Sequence, residues 1–94
     1  MAYTVSYAGS FKKDYKRCLK RGLEMSALNE TIKLLVENGT LPAEYNPHKL
    51  VGTYAGKWEC HIKGRNSDWI MVWDQNDTEL SLLLLRTGSH SDIF

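Results

Sequence analysis

Three histidines, His48, His61 and His90, lie in the C-terminal half of this 94-residue chain together with Asp68 and Arg86. Imidazole is the side chain that gives or takes a proton most readily near neutral pH. Asp68 opens the segment after His61, where a carboxylate orients an imidazole or accepts a proton. The forked guanidinium of Arg86 suits a phosphate. Trp69 and Phe94 offer flat surfaces on which a base can stack. These are the parts needed to cleave RNA. The 2′-OH is deprotonated and attacks the adjacent phosphorus, a cation stabilises the crowded phosphorane, and an acid protonates the leaving 5′-oxygen. Because the substrate supplies its own nucleophile, no metal or cofactor is expected. A zinc site built from the three histidines and Asp68 would lack short ligand spacing. Cys60 and His61, neighbours on a strand, point to opposite faces and cannot share a metal.

Each of these residues also has an ordinary structural reading. Arg86 at a strand end is a common surface ion-pair partner. Trp69 alternates with Met71 and Trp73 and so fits a core. Phe94 at the terminus could plug the sheet.

The elements that must position these groups follow from periodicity. Residues 3–7 alternate and are rich in β-formers, so they read as a short strand. Ser10 is placed to cap a helix running to about Arg21, with Phe11, Tyr15, Cys18 and Leu19 as its apolar stripe, and Gly22 ends it. A second helix spans about Ser26 to Glu37, with Met25, Leu28, Ile32 and Leu35 recurring at 3-4-3 spacing before Asn38-Gly39. The two Pro-containing segments in 40–47 read as a loop, and His48–Gly52 as a short strand at most. Gly56–Lys63 is a strand with Trp58, Cys60 and Ile62 on one face and Glu59, His61 and Lys63 on the other. Gly64–Ser67 is a hairpin loop, Asp68–Asp74 the next strand, 75–77 a turn and Thr78–Arg86 the last strand. The uninterrupted run Leu82–Leu85 reads as a buried central strand. The chain should leave that strand at Arg86, reverse at Gly88, and bring His90 back over the sheet in a short turn or helix. The order β, α, α, then a twisted antiparallel β-meander predicts an α+β fold with the helical hairpin on one face of the sheet.

Composition narrows the class. The length allows one domain, residues 1–94, and a real core without staples. A hydrophobic content of 43% with 24% charged residues is ordinary for a globular protein. The net charge of +1 does not announce a nucleic-acid binder, but six of the 12 cations, Lys12, Lys13, Lys16, Arg17, Lys20 and Arg21, fall within ten residues on the first helix. Two cysteines make no disulfide framework. The N-terminus has no signal-peptide pattern and no apolar run approaches a membrane span, so a cytoplasmic protein without a membrane partner is expected.

On four short motifs the chain resembles the RelE/ParE superfamily of bacterial type II toxins, in its YafQ-like branch of messenger-RNA endoribonucleases. The motifs are His48-Lys49-Leu50 with Gly52, then Cys60-His61-Ile62, then Asp68-Trp69-Ile70, and the closing element Leu85-Arg86-Thr87-Gly88-Ser89-His90-Ser91-Asp92-Ile93-Phe94. They occur in the family's order over nearly the whole chain. The resemblance implies a RelE-like microbial ribonuclease fold, cleavage of mRNA in the decoding site of the ribosome, and a cognate antitoxin that wraps the toxin. By matching positions it implies His48, His61, Asp68 and His90 as the acid–base set, Arg86 on the scissile phosphate, and Trp69 and Phe94 lining the site. The loop Ile62–Ser67 between His61 and Asp68 is longer than the family's compact His-x-x-Pro-Asp spacing, which leaves the register of Asp68 to His61 open; Arg65 at its tip is placed for an extra RNA or ribosome contact. With so modest a net charge, Lys12, Lys13, Lys16, Arg17 and Lys20 must supply most of the attraction to RNA. Two other classes stay open from the residues: a non-catalytic toxin that poisons a topoisomerase by binding, as relatives in the superfamily do, and a plain RNA-binding module using the Lys12–Arg21 face.

Overall fold

The computed structural model describes residues 2–94; residue 1 of the expected domain lies outside them. The elements are β1 (Thr4–Tyr7), α1 (Gly9–Lys20), α2 (Met25–Asn38), β2 (His48–Lys49), β3 (Trp58–His61), β4 (Trp69–Asn76), β5 (Ser81–Ser89) and α3 (His90–Ile93), with 3₁₀ turns at Ala43–Tyr45 and Gly52–Tyr54. The expected α+β architecture is present. The meander β3–β4–β5 is antiparallel and β2 adds to it antiparallel. The sheet is nevertheless mixed, because β1 pairs parallel with β5 in the order β1-β5-β4-β3-β2. The helical hairpin between β1 and the meander serves as the crossover that a parallel pair needs. Among the described residues no helix is long and apolar enough to cross a membrane.

The helices bury their stripes on one face of the sheet. Phe11 and Cys18 of α1 and Leu28 and Leu35 of α2 join Cys60, Ile62, Trp69, Met71, Trp73, Leu82 and Leu84 in the core. Each fully buried large apolar side chain contributes about 1.5–3 kcal/mol. Leu19 does not belong to the stripe: it is 59% exposed, because it follows Cys18 by 100° around the helix. In its place Asp14 is buried. Nor does Ser10 cap α1. Ala8 occupies that position, and the Ser10 hydroxyl donates to the Leu85 carbonyl at 2.7 Å. Both cysteines are free and buried, and burial pushes the Cys60 thiol well above its ordinary range. Gly39 ends α2 in the left-handed region, where any side chain would collide with the ring of Tyr3.

Two expectations about β5 change. Leu82 and Leu84 are buried, but Leu83 is 39% exposed and Leu85 only half-buried. A run of four leucines need not be covered on both faces when helices pack on one. The strand also continues to Ser89, so Arg86 sits within it and not at its end. The pairing slips between Val72 and Trp73: Trp73 faces Leu84, Val72 faces Arg86, and Leu85 is left over as a bulge. Strict alternation from Leu82 and Leu84 would send Arg86 into the helix-side core. The extra residue flips the pattern, so the next buried residue is Thr87 and Arg86 emerges on the face opposite the core.

Candidate functional site

That opposite face carries the candidate site residues. The registers of β2, β3, β4 and β5 align His48, Glu59, Val72 and Arg86 in one crosswise row, and His61, Ile70 and Gly88 in a neighbouring row. Directly opposed residues share a face, so fully buried Val72 and Ile70 form an apolar floor between the histidine side and the arginine side. At the far end of β5, Gly88 adopts φ +148°; a side chain there would press on Asp92 and Arg17. This lets α3 fold back at once. Ser89 and Asp92 close a capping box at its start, and α3 delivers His90 beside His61.

The three imidazoles share one arrangement. His48 Nδ1 lies 2.7 Å from the Asn46 carbonyl, and His61 Nδ1 lies 2.8 Å from the Ser67 carbonyl. His90 Nδ1 lies 3.1 Å from Asp68 Oδ1. Carbonyls only accept, and a carboxylate accepts, so each Nδ1 carries a hydrogen and donates it. All three Nε2 atoms therefore face the same way, onto buried Glu59. The distances to its carboxylate are 3.0 Å from His48, 3.9 Å from His61 and 3.5 Å from His90. A buried carboxylate needs donors, and a neutral Nδ1–H imidazole offers only a lone pair at Nε2. A hydrogen bond between Glu59 and any of these imidazoles therefore needs a hydrogen on Nε2 or on the carboxyl oxygen. The rings form a row, His48 to His61 at 6.4 Å and His61 to His90 at 5.7 Å, continued by Phe94 at 6.1 Å from His90 and Tyr54 edge-on to Phe94 at 5.8 Å.

Several residues proposed from sequence stand elsewhere than expected. Asp68 pairs with His90 and not with His61, whose Nδ1 is taken by Ser67 inside the longer loop. Trp69 is buried in the core with its indole N–H donated to the Thr87 hydroxyl at 3.0 Å, so it is no stacking surface; it belongs to the helix-side set with Met71 and Trp73. Arg17 turns inward to Asp14 at 2.9 Å and lies 4.0 Å from Asp92. Arg21 also holds Asp92, which keeps that carboxyl far below the usual carboxylate range. These two cations tie α1 to α3. Lys12, Lys13, Lys16 and Lys20 remain exposed and have no ion-pair partner among the described residues. Arg65 is exposed on its loop, with one 3.4 Å contact to the Ala43 carbonyl.

Three residues were missed. Glu59 shares the outward face of β3 with His61, two positions away, which was the available signal. Tyr54 and Asp14 carried none, since both reach Arg86 across 32 and 72 positions of sequence. Phe94, by contrast, is exposed: it is 56% accessible and its ring lies beside Tyr54 and His90. Deleting it is expected to cut cleavage roughly tenfold, the scale of one lost base stack, with thermal stability nearly unchanged. A large loss of stability in a melting curve would make it a structural plug instead.

A helical hairpin covers one face of a short mixed sheet, with three histidines, Glu59 and Arg86 on the other, an architecture consistent with the RelE-like fold of toxins. The comparisons with known proteins agree. The family model described as the bacterial toxin of type II toxin–antitoxin system, YafQ, matches residues 3–94. The mRNA interferase toxin YafQ of Escherichia coli (strain K12) is 34% identical over 91 residues, covering 96% of this chain and 94% of that protein. The crystal structure of the E. coli DinJ-YafQ toxin–antitoxin complex contains a chain matching at a TM-score of 0.86 with 33% identity, covering 100% of this chain and 99% of that one. A copper-bound mutant toxin from Helicobacter pylori matches at 0.83 with 36% identity over the full length of both chains. This chain belongs to the YafQ toxin family.

Proposed function

We propose that this protein is the toxin of a type II toxin–antitoxin pair and an endoribonuclease that cuts messenger RNA on the translating ribosome in the cytoplasm. The observation that carries the mechanism is the convergence of three Nε2 atoms on one buried carboxylate beside a row of aromatic rings. Since each Nδ1 is committed to an oxygen, Nε2 is the atom that moves protons in every histidine. His48 or His61 takes the proton of the 2′-OH. His90, held by Asp68, returns one to the leaving 5′-oxygen. Arg86 neutralises the phosphorane, Phe94 and Tyr54 wall the site, and the exposed lysines of α1 with Arg65 draw in ribosomal or messenger RNA. Incubation with translating ribosomes and a message should give codon-positioned cuts; a folded protein that makes none overturns this reading. If a triple replacement of His48, His61 and His90 stays toxic in cells, a binding-only toxin is the better account.

The relatives' toxin–antitoxin complex supports a cognate antitoxin as partner. So does a groove of about 440 Å³ lined by Tyr7, Phe11, Tyr15 and Ile32 with Lys12 and Lys16. None of the histidines lines it, and its apolar floor with two cations suits an acidic amphipathic segment of the antitoxin.

One relative carries copper. Here Glu59, His61 and His90 offer ligand atoms within 4.8 Å of one another, a donor set that favours an ion such as Cu²⁺. These three residues would hold it, and they differ from the three-histidine and Asp68 set considered from sequence. An ion there would occupy the Nε2 atoms needed for proton transfer. Added Cu²⁺ should therefore lower cleavage and a chelator restore it; an unchanged rate at saturating, demonstrably bound Cu²⁺ would remove His61 and His90 Nε2 from proton transfer.

A further inference from the structure

We infer that Asp14, on the first turns of α1 and outside the histidine cluster, is a positioning residue that sets the guanidinium of Arg86. The inference rests on Arg86 being the cation that meets the scissile phosphate. Arg86 reaches the site face only because Leu85 is bulged out of the β4–β5 pairing, and a bulge leaves backbone groups without ladder partners. Beyond Tyr7 no strand among the described residues pairs with the outer edge of β5; α1 lies along it instead, behind its N-cap Ala8, whose N–H donates to the Leu84 carbonyl. There the Asp14 carboxylate accepts from the Thr87 backbone N–H at 3.1 Å, from Arg86 Nε at 2.6 Å and from Arg86 Nη2 at 3.4 Å. One buried carboxylate thus fastens the strand just after the bulge and the head of the side chain the bulge delivers.

The grip is directional. Asp14 takes the Nε–Nη2 edge of the guanidinium, and the Asp92 carbonyl lies 3.4 Å from Nη2. Nη1 is left 3.5 Å from the Tyr54 hydroxyl, beside the aromatic wall made by Phe94. A guanidinium held along one edge presents the other in a single orientation, which is what an arginine needs to meet a phosphorane without reorganising. The same contact keeps Arg86 firmly protonated. Arg17 also donates to Asp14 at 2.9 Å, so one carboxylate holds two guanidinium groups, Arg17 on α1 and Arg86 on β5.

An ion pair of this kind also staples a helix to a sheet, so the test is a double-mutant cycle read in cleavage. Arg86→Ala should lower single-turnover cleavage about 10²–10³-fold. Asp14→Asn should lower it about 10²-fold, with ribosome binding kept within about threefold. Added to Arg86→Ala, Asp14→Asn should change cleavage by less than about threefold, because it acts through the group already removed. A normal rate for folded Asp14→Asn, or a full loss that persists in the Arg86→Ala background, overturns the inference. A normal rate for Arg86→Ala instead removes the phosphate role on which it rests. In the unmodified protein the Arg86 Nε–H should exchange slowly with solvent in ¹H–¹⁵N spectra. Exchange as fast as that of a surface arginine would overturn the inference even if Asp14→Asn fails to fold.

Discussion

Replacing His90 with alanine is expected to lower mRNA cleavage about 10²–10⁴-fold, the usual scale for a lost proton-transfer group, without unfolding the protein. Its side chain is 45% exposed and lies outside the helix-side core, so little packing goes with it. His90 is also the most elaborately placed of the three imidazoles. Gly88 permits the reversal, the Ser89–Asp92 capping box starts α3, and Arg21, the C-cap of α1, holds Asp92 at 2.7 Å. Asp68 fixes the Nδ1–H tautomer at 3.1 Å, which directs Nε2 inward. Replacing Asp68 therefore acts through His90, and should cost little in a His90→Ala background. The decisive measurement is single-turnover cleavage on ribosomes; an unchanged rate for His90→Ala would take His90 out of the mechanism.

The second large effect belongs to Glu59. Glu59→Gln keeps the volume but removes the charge on which three Nε2 atoms converge. Cleavage is expected to fall about 10²-fold, because the imidazoles lose the group that sets their geometry. The stability loss should stay within about 1–3 kcal/mol, the cost of a buried polar group left imperfectly paired. Two of the three imidazoles, those of His48 and His90, reach solvent and can find water instead. A urea melt and a ribosome assay on the same preparation separate the two quantities. Full activity in Glu59→Gln would mean that the carboxylate is structural ballast beneath the histidines and that each imidazole works alone.

Much of this was legible in the chain. The element order, the helical hairpin, the meander and the closing turn follow from periodicity and punctuation, which are local properties. Alternation along Trp58–Lys63 put His61 outward and Cys60 inward, and both are so. The pairing of outward Glu59 with His48 was not legible, because it depends on the register of a two-residue strand, β2, against β3. Trp69 was ambiguous for a related reason: its indole N–H has a buried acceptor in Thr87, a partner 18 residues away. The cation-rich first helix looked like an RNA surface along its whole length. Arg17 and Arg21 instead answer to Asp14 and Asp92, and charges choose partners by distance in space and not along the chain.

The amino-acid sequence by itself determined which imidazole, carboxylate and guanidinium groups this protein possesses and that they ride on an α+β scaffold. Only the tertiary structure decided which of them meet. A period-2 pattern carries no mark of a bulge, and the one at Leu85 turns Arg86 from the core to the site face. That extra residue is tolerated because β1 stops at Tyr7, and α1 then supplies Ser10 and Asp14 to the exposed edge of β5. The site is thus set by how three distant segments share one strand edge, and this is a property of packing.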